Sequence, residues 1–457
     1  MRLISDPAEL SSRFFFTEPW EPVSVRRGDA LGLRALTDLL AEAVAPDLSN
    51  RIRDGRWVTI LAWCLVRSHE AFLASGRNSI STFAQQRERY AWLQPLELMW
   101  VARTIALAYD WKGRYLAGSR SVSTWRKANQ SDSFGMSAAQ LRSYRQTGIY
   151  GGYRLVFRKW PGMTVGGDGW TPGPQTYALA EWLDKRLGAA RPSPENRNYK
   201  HFTGSTKRAN LEVGQSRWWL KHWSNFEDKG TPAYDNTLPC LKDDFDKLPE
   251  SERLGQIIFG DDQNGKHRRK VARAVSSARV SDHIEVCQHL SHVFSSNRLI
   301  KILPQFSRLA DAGMEVMDLI GAELHGEVSI DLARLVERPA FKMVCRELSD
   351  AANEWLHSDR PEYPPLDAAN RFAEAIRSAK PAQCLRNLLE YHQNFGGGLR
   401  WFILNGHGVV ERRSPLRSRS SRYRFRLWSL CRLASQCGVI KSMPKALLSE
   451  SEDDEQL

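Results

Sequence analysis

Apolar side chains recur at the three- and four-residue spacing of a helix face along most of this 457-residue chain. That periodicity confines it to folds made by packing helices on helices. Residues 30–45 put Leu31, Leu33, Leu36, Leu39, Leu40 and Val44 on one stripe. Pro46 then stops the helix, and Asp47, Leu48, Ser49 and Asn50 supply turn and cap chemistry. Residues 56–72 repeat the pattern with Trp57, Ile60, Leu61, Cys64, Leu65 and Phe72. Ser81 and Pro95 each open a further helix. We read residues 1–115 as one N-terminal helical domain.

The next block, 116–190, mixes periods. Residues 137–142 form a short capped helix ending in Arg142, and Thr147-Gly148 makes a turn. Residues 149–160 form a second helix carrying Tyr150, Tyr153, Arg154, Arg158 and Lys159. Met163-Thr164-Val165 and Trp170-Thr171 flank Gly166-Gly167-Asp168-Gly169 as a hairpin with a glycine-rich tip. An amphipathic helix, 172–187, closes the block. This order resembles a winged helix-turn-helix. The resemblance implies a recognition helix in a major groove, bearing Tyr150, Tyr153, Arg154 and Arg158, with the 166–169 tip beside phosphates. The pair Gly151-Gly152 departs from that pattern, since two glycines cost a helix about 2 kcal/mol. Winged helices also serve as protein-binding modules, so this alternative stays open.

Residues 191–255 read as a Trp-rich linker region. Arg191-Pro192-Ser193-Pro194 opens it, and Trp218, Trp219 and Trp223 stand among Arg217, Lys221 and His222. From 256 to 448 the chain returns to helices, expected near 282–294, 298–321, 328–337, 340–357, 366–378 and 381–394. Lys266, Arg268, Arg269 and Lys270 open an Ala- and Val-rich helix, where cations oppose the helix dipole and favour a bound anion. Near the end, residues 399–404 read as a strand, Asn405-Gly406-His407-Gly408 as a tight turn and Val409-Val410 as the return strand. Arg412, Arg413, Arg417, Arg419, Arg422, Arg424 and Arg426 follow, interleaved with Tyr423 and Phe425, as a polyanion groove with stacking platforms requires. The segment 449–457 is an acidic tail. The expected fold class is therefore mainly α: a multi-domain helical protein with a winged-helix-like segment and a small C-terminal β-hairpin.

Charge narrows the function. Sixty-five Lys and Arg face fifty-two Asp and Glu, leaving +13. That surplus favours polyanionic partners, nucleic acid first. Seven cysteines at irregular spacing include no CxxC pair, which fits thiols in a reducing, cytoplasmic compartment rather than a zinc ribbon or a disulfide framework. We expect no signal peptide and no membrane span.

Motifs for catalysis are missing. No GxxxxGK[ST] and no HExxH occurs. His283, Cys287, His289 and His292 share a helical stretch but lack a complete ligand set, the acid-rich run 260–266 lacks EF-hand spacing, and His407 has no partner to work with as a base. No cofactor, metal or catalytic residue is expected.

Two blocks carry a further likeness. One runs from Leu31-Gly32 to Leu65, centred on Pro46-Asp47-Leu48-Ser49-Asn50-Arg51 and Arg56-Trp57. The other joins residues 396–402, Tyr423-Arg424-Phe425-Arg426-Leu427 and Gln436-Cys437-Gly438. They resemble bacterial proteins of unassigned activity encoded beside helicases and nucleases in anti-phage defence clusters. The resemblance implies a helicase or nuclease partner and carries over no catalytic residue. The leading expectation is a non-catalytic DNA-binding subunit of such a complex. A metal-dependent nuclease and a scaffold without nucleic-acid contact are the alternatives.

Overall fold

The computed structural model describes residues 29–74, parts of 89–105, 116–128, 144–189 and 249–447, apart from 396–399, 414–424 and a few single positions. Helix α1 (Arg34–Val44) starts where the Asp29 carboxylate accepts the Leu33 and Arg34 N–H groups, at 2.8 and 3.3 Å. It stops at Ala45, ahead of Pro46. Helix α2 (Gly55–Ala74) buries Trp57, Trp63, Cys64 and Phe72, so it is covered on nearly every side. After α3 (Ser119–Ala128) come α4 (Ile149–Lys159) and α5 (Pro174–Ala189). Helix α2 lies along α5 and also touches α4.

The glycine pair does not break α4. A Cβ on Gly151 would stand 2.3 Å from the Arg145 carbonyl oxygen, so the entry to the helix demands glycine there and the propensity cost is accepted for a close turn. The expected two-stranded wing is not formed. Residues 163–172 make one isolated bridge, Thr164 to Pro172, around a 3-10 turn at Val165–Gly167. Two interactions fold the loop flat. The Asp168 carboxylate accepts the Trp170 and Thr171 N–H groups at 2.7 and 2.8 Å, and the Trp170 ring turns inward to stack on Tyr150 at 4.7 Å.

The C-terminal half is a helical array. Its helices are α6 (Pro249–Ile258), α7 (Gln263–Ser277), α8 (His283–Val293), the single turn α9 (Arg298–Lys301) and α10 (Leu303–Glu323). Then come α11 (Leu332–Glu337), α12 (Pro339–His357), α13 (Asp367–Ile376), α14 (Pro381–Phe395) and α15 (Leu427–Gln436). Helix α12 is the hub, resting on α10, α13 and α14. The helix expected over 298–321 is split at Ile302, and Pro304 opens the second piece. The helix expected over 328–337 loses its first turn to a strand, β1 (Ser329–Asp331), after which Asp331 caps α11 through the Ala333 N–H at 2.8 Å.

The C-terminal hairpin is present as β2 (Phe402–Leu404) and β3 (Val409–Arg412), joined by the 405–408 turn. Strand β1 adds to its free edge, giving a three-stranded antiparallel sheet in the order β1-β3-β2. Buried side chains from Ala30 to Leu447 form one contiguous core. Two expected boundaries, after 115 and after 190, touch residues outside the description, and the one after 255 falls inside α6. No described helix is long and apolar enough to cross a membrane.

Candidate nucleic-acid interface

Helix α4 separates into two faces. Ile149, Tyr150, Tyr153, Val156 and Phe157 form its buried stripe, while Arg154, Arg158 and Lys159 lie on the other side, half-buried to exposed. Tyr150 and Tyr153 are thus core residues and cannot reach a groove. The Tyr153 hydroxyl accepts the N–H groups of Arg53 and Asp54, both at 3.1 Å, and so fixes the loop after α1 against α4. Tyr153→Phe should cost about 2 kcal/mol, since one buried and one part-buried donor lose their acceptor. Urea unfolding would show it. A loss of affinity without a loss of stability would restore Tyr153 to the interface.

That docked loop brings in a cation the sequence did not mark. Arg51 sits at the surface, its Nη1 donating to the Gln146 carbonyl at 2.9 Å, just ahead of α4. Partial burial, then the charges of Arg154 and Arg34, pull its guanidinium below the ordinary value. Arg145 lies buried beneath, over the Tyr90 ring at 5.0 Å. Burial first, with Arg154 and Arg158 adding repulsion, lowers Arg145 to about 9. Arg51 therefore lies near Arg34 and Arg154, and Arg145 near Arg154 and Arg158, while Arg34 also pairs with Asp38 at 3.7 Å. The side chain of Arg158 also lies against Gly169 of the flattened loop.

The other expected contacts divide. Arg268 is a structural residue. It is 1% exposed, Nε donates to the Ile258 carbonyl at 2.7 Å, and Nη1 donates to the Pro46 carbonyl at 2.9 Å, with Asp47 at 3.6 Å. Lys266 and Lys270 are exposed, and Arg269 pairs with Asp261 at 3.3 Å. The start of α7 is held by the Asp262 carboxylate, which accepts the Gly265 N–H at 2.9 Å, so the acid-rich run is a helix cap. Arg413 pairs with Glu411 at 3.0 Å, and Arg426 donates to Glu42 and to the Ala45 carbonyl, tying α15 to the end of α1. Arg412 is half-buried on β3. Arg142, Arg417, Arg419, Arg422 and Arg424 lie outside the described residues, as do the tryptophans of the 191–255 region.

The histidine stretch forms no ligand set. Cys287 Sγ lies 3.6 Å from His283 Nε2 and 3.5 Å from Ser307 Oγ in the core, while His292 is exposed. Among the described residues no group of three His, Cys, Asp or Glu side chains can hold a metal ion. No family model, curated protein or solved structure matches the chain.

Proposed function

We propose that this chain is a non-catalytic, nucleic-acid-binding subunit, and that the polyanion lies along the outer side of α4. The observation that carries this reading is that Arg51, on the loop after α1, lies close to Arg154 of α4, with Arg158 one turn further along that helix. Like charges held this close favour an anion between them, and guanidinium forks suit phosphate oxygens. Buried Arg145 adds a fixed positive charge underneath. Lys159 extends the track, and DNA is the polymer for which we read it. The sequence resemblance supplies the setting: a bacterial anti-phage complex in which a helicase or nuclease partner does the chemistry. Lys266, Lys270 and the arginines at 417–424 are secondary contacts in this reading.

The test is a salt titration of duplex binding by fluorescence anisotropy. The triple substitution Arg51→Ala, Arg154→Ala and Arg158→Ala should lower the slope of log affinity against log salt by about two to three, near 0.9 for each phosphate no longer neutralised. Affinity at moderate salt should fall at least tenfold on every sequence tried. A triple variant with the wild-type slope and affinity would remove α4 from the interface.

A further inference from the structure

A second cationic feature lies on the far half of the chain and has a different shape. A cavity of about 580 Å3 opens between α12 and the junction of α13 with α14. Arg346, Ser349, Asp350 and Asn353 face it from α12, where spacings of three, four and seven keep them on one side of the helix. Arg377, Ser378 and Pro381 close the opposite wall.

Three observations set this cavity apart from an ordinary surface dent. Its walls are fastened to each other: the Ser349 hydroxyl donates to the Ser378 carbonyl at 2.8 Å, and the Ser378 N–H returns to Ser349 Oγ at 3.1 Å. Cys345 of α12 and Cys384 of α14, both buried, adjoin each other where those two helices pack. The wall between the helices is therefore fixed, while Arg346, Asp350, Asn353 and Arg377 stand exposed along its rim.

The second observation is charge without pairing. Nearby, Arg308 pairs with Glu354 at 2.8 Å, Lys301 with Asp359 at 3.1 Å and Arg338 with Glu323, and Arg360 donates to Asn370 and the Leu356 carbonyl, while exposed Lys342 and Lys380 form no ion pair among the described residues. Arg346 and Arg377 have no such partner among the described residues, and neither does Asp350. Third, the volume falls in the range of small-molecule sites, about 300–1,000 Å3, and exceeds what a bare phosphate ion fills.

We propose that this cavity binds a small phosphorylated sugar, with Arg346 and Arg377 clamping the phosphate and Asp350 accepting hydrogen bonds from the sugar hydroxyls. Two guanidinium forks match the several oxygens of a phosphomonoester. The first turn of α14, which begins at Pro381, adds the positive end of its dipole. A carboxylate on the same rim disfavours a ligand that is anionic throughout and rewards one carrying hydroxyl donors. Asn353 can serve either end. Nucleoside monophosphates and simple sugar phosphates share this chemistry.

Calorimetric titration of the full chain with ribose 5-phosphate, adenosine monophosphate and inorganic phosphate tests the assignment. Both phosphosugars should bind at least tenfold more tightly than inorganic phosphate. Arg346→Ala and Arg377→Ala should each weaken them tenfold or more, and Arg346→Lys should recover only part of the loss, since it restores charge without the fork. Asp350→Asn should weaken both phosphosugars relative to inorganic phosphate, which should bind somewhat more tightly once the carboxylate's charge is gone. Equal affinity for the two points to a sugar phosphate, and tighter adenosine monophosphate to a nucleotide. Absence of phosphosugar binding, or binding unchanged in both alanine variants with intact circular dichroism, overturns the proposal. Neither result bears on the α4 interface, whose residues are separate.

Discussion

Arg268→Ala is expected to lower the free energy of unfolding by about 3 kcal/mol, roughly the cost of stripping a buried charge and its hydrogen bonds from their partners. The guanidinium holds the Ile258 and Pro46 carbonyls at once, so it bolts α6, α7 and the end of α1 together. Removing it leaves two buried acceptors and takes the partner from Asp47. Lysine should rescue little, because one ammonium on a straight stem cannot span two carbonyls on different elements. Urea or thermal unfolding measures the loss. The folded variant should bind nucleic acid as the wild type does. Normal stability with weakened binding would return Arg268 to the ligand face.

The second large effect is a dependence on pH. Glu97 is buried with its Oε1 accepting the Tyr150 N–H at 2.5 Å, at the start of α4, and the Tyr90 hydroxyl near Oε2 at 3.5 Å. Burial pushes its carboxyl up to about 8 from 4.5, against the lowering effect of those hydrogen bonds. The folded state therefore keeps a proton that the unfolded chain has released. That contribution is whole below pH 4.5 and declines as pH rises, until it is gone above about 8. His69 acts in the opposite sense at lower pH. Burial, then the charge of Arg89, pull it down to about 4 from 6.5, so its contribution grows across that window as pH rises. Between pH 6.5 and 8 only Glu97 of the two still titrates, and stability should drop by about 2 kcal/mol, at 1.36 kcal/mol per unit. Glu97→Gln keeps an acceptor for Tyr150 and has no proton to lose, so its stability curve should be flatter by that amount. Identical slopes for the two proteins would contradict burial as the cause.

Much of the fold is legible in the sequence, and the reasons for the failures are physical. Helices with a full apolar stripe, such as α2, α12 and α14, follow from periodicity. The 402–412 hairpin follows from its Asn-Gly-His-Gly turn. Strand β1 has only three residues, and its partners lie some eighty positions downstream, so no local pattern announces it. The misread residues are nonetheless in register with the core. Arg268 stands three, four and seven positions before Val271, Ala272 and Val275, on the buried face of α7. Tyr150 and Tyr153 share the stripe of Val156 and Phe157. Counting charge and aromatic type without asking which face they occupy sends all three to the surface. The wing fails for another reason: glycines permit a tight hairpin, but the Asp168 cap and the inward Trp170 favour a folded loop. Arg51 escapes a sequence reading because its loop meets the α4 region through partners 95 and 100 positions further along the chain.

The Gly55 N–H finds its acceptor on Gln436, 381 positions later, at 2.9 Å, and His392 Nδ1 meets the Ala30 carbonyl at 2.8 Å. During translation at 5–20 residues per second, the opening helices must wait for about 20 to 80 seconds before those partners leave the ribosome. Until then the first turn of α2 lacks its acceptor, although its tryptophan side is already covered by Trp100, α4 and α5. A stop codon placed just before α15 would prolong that state indefinitely, so the last helix acts as a clasp that completes the first.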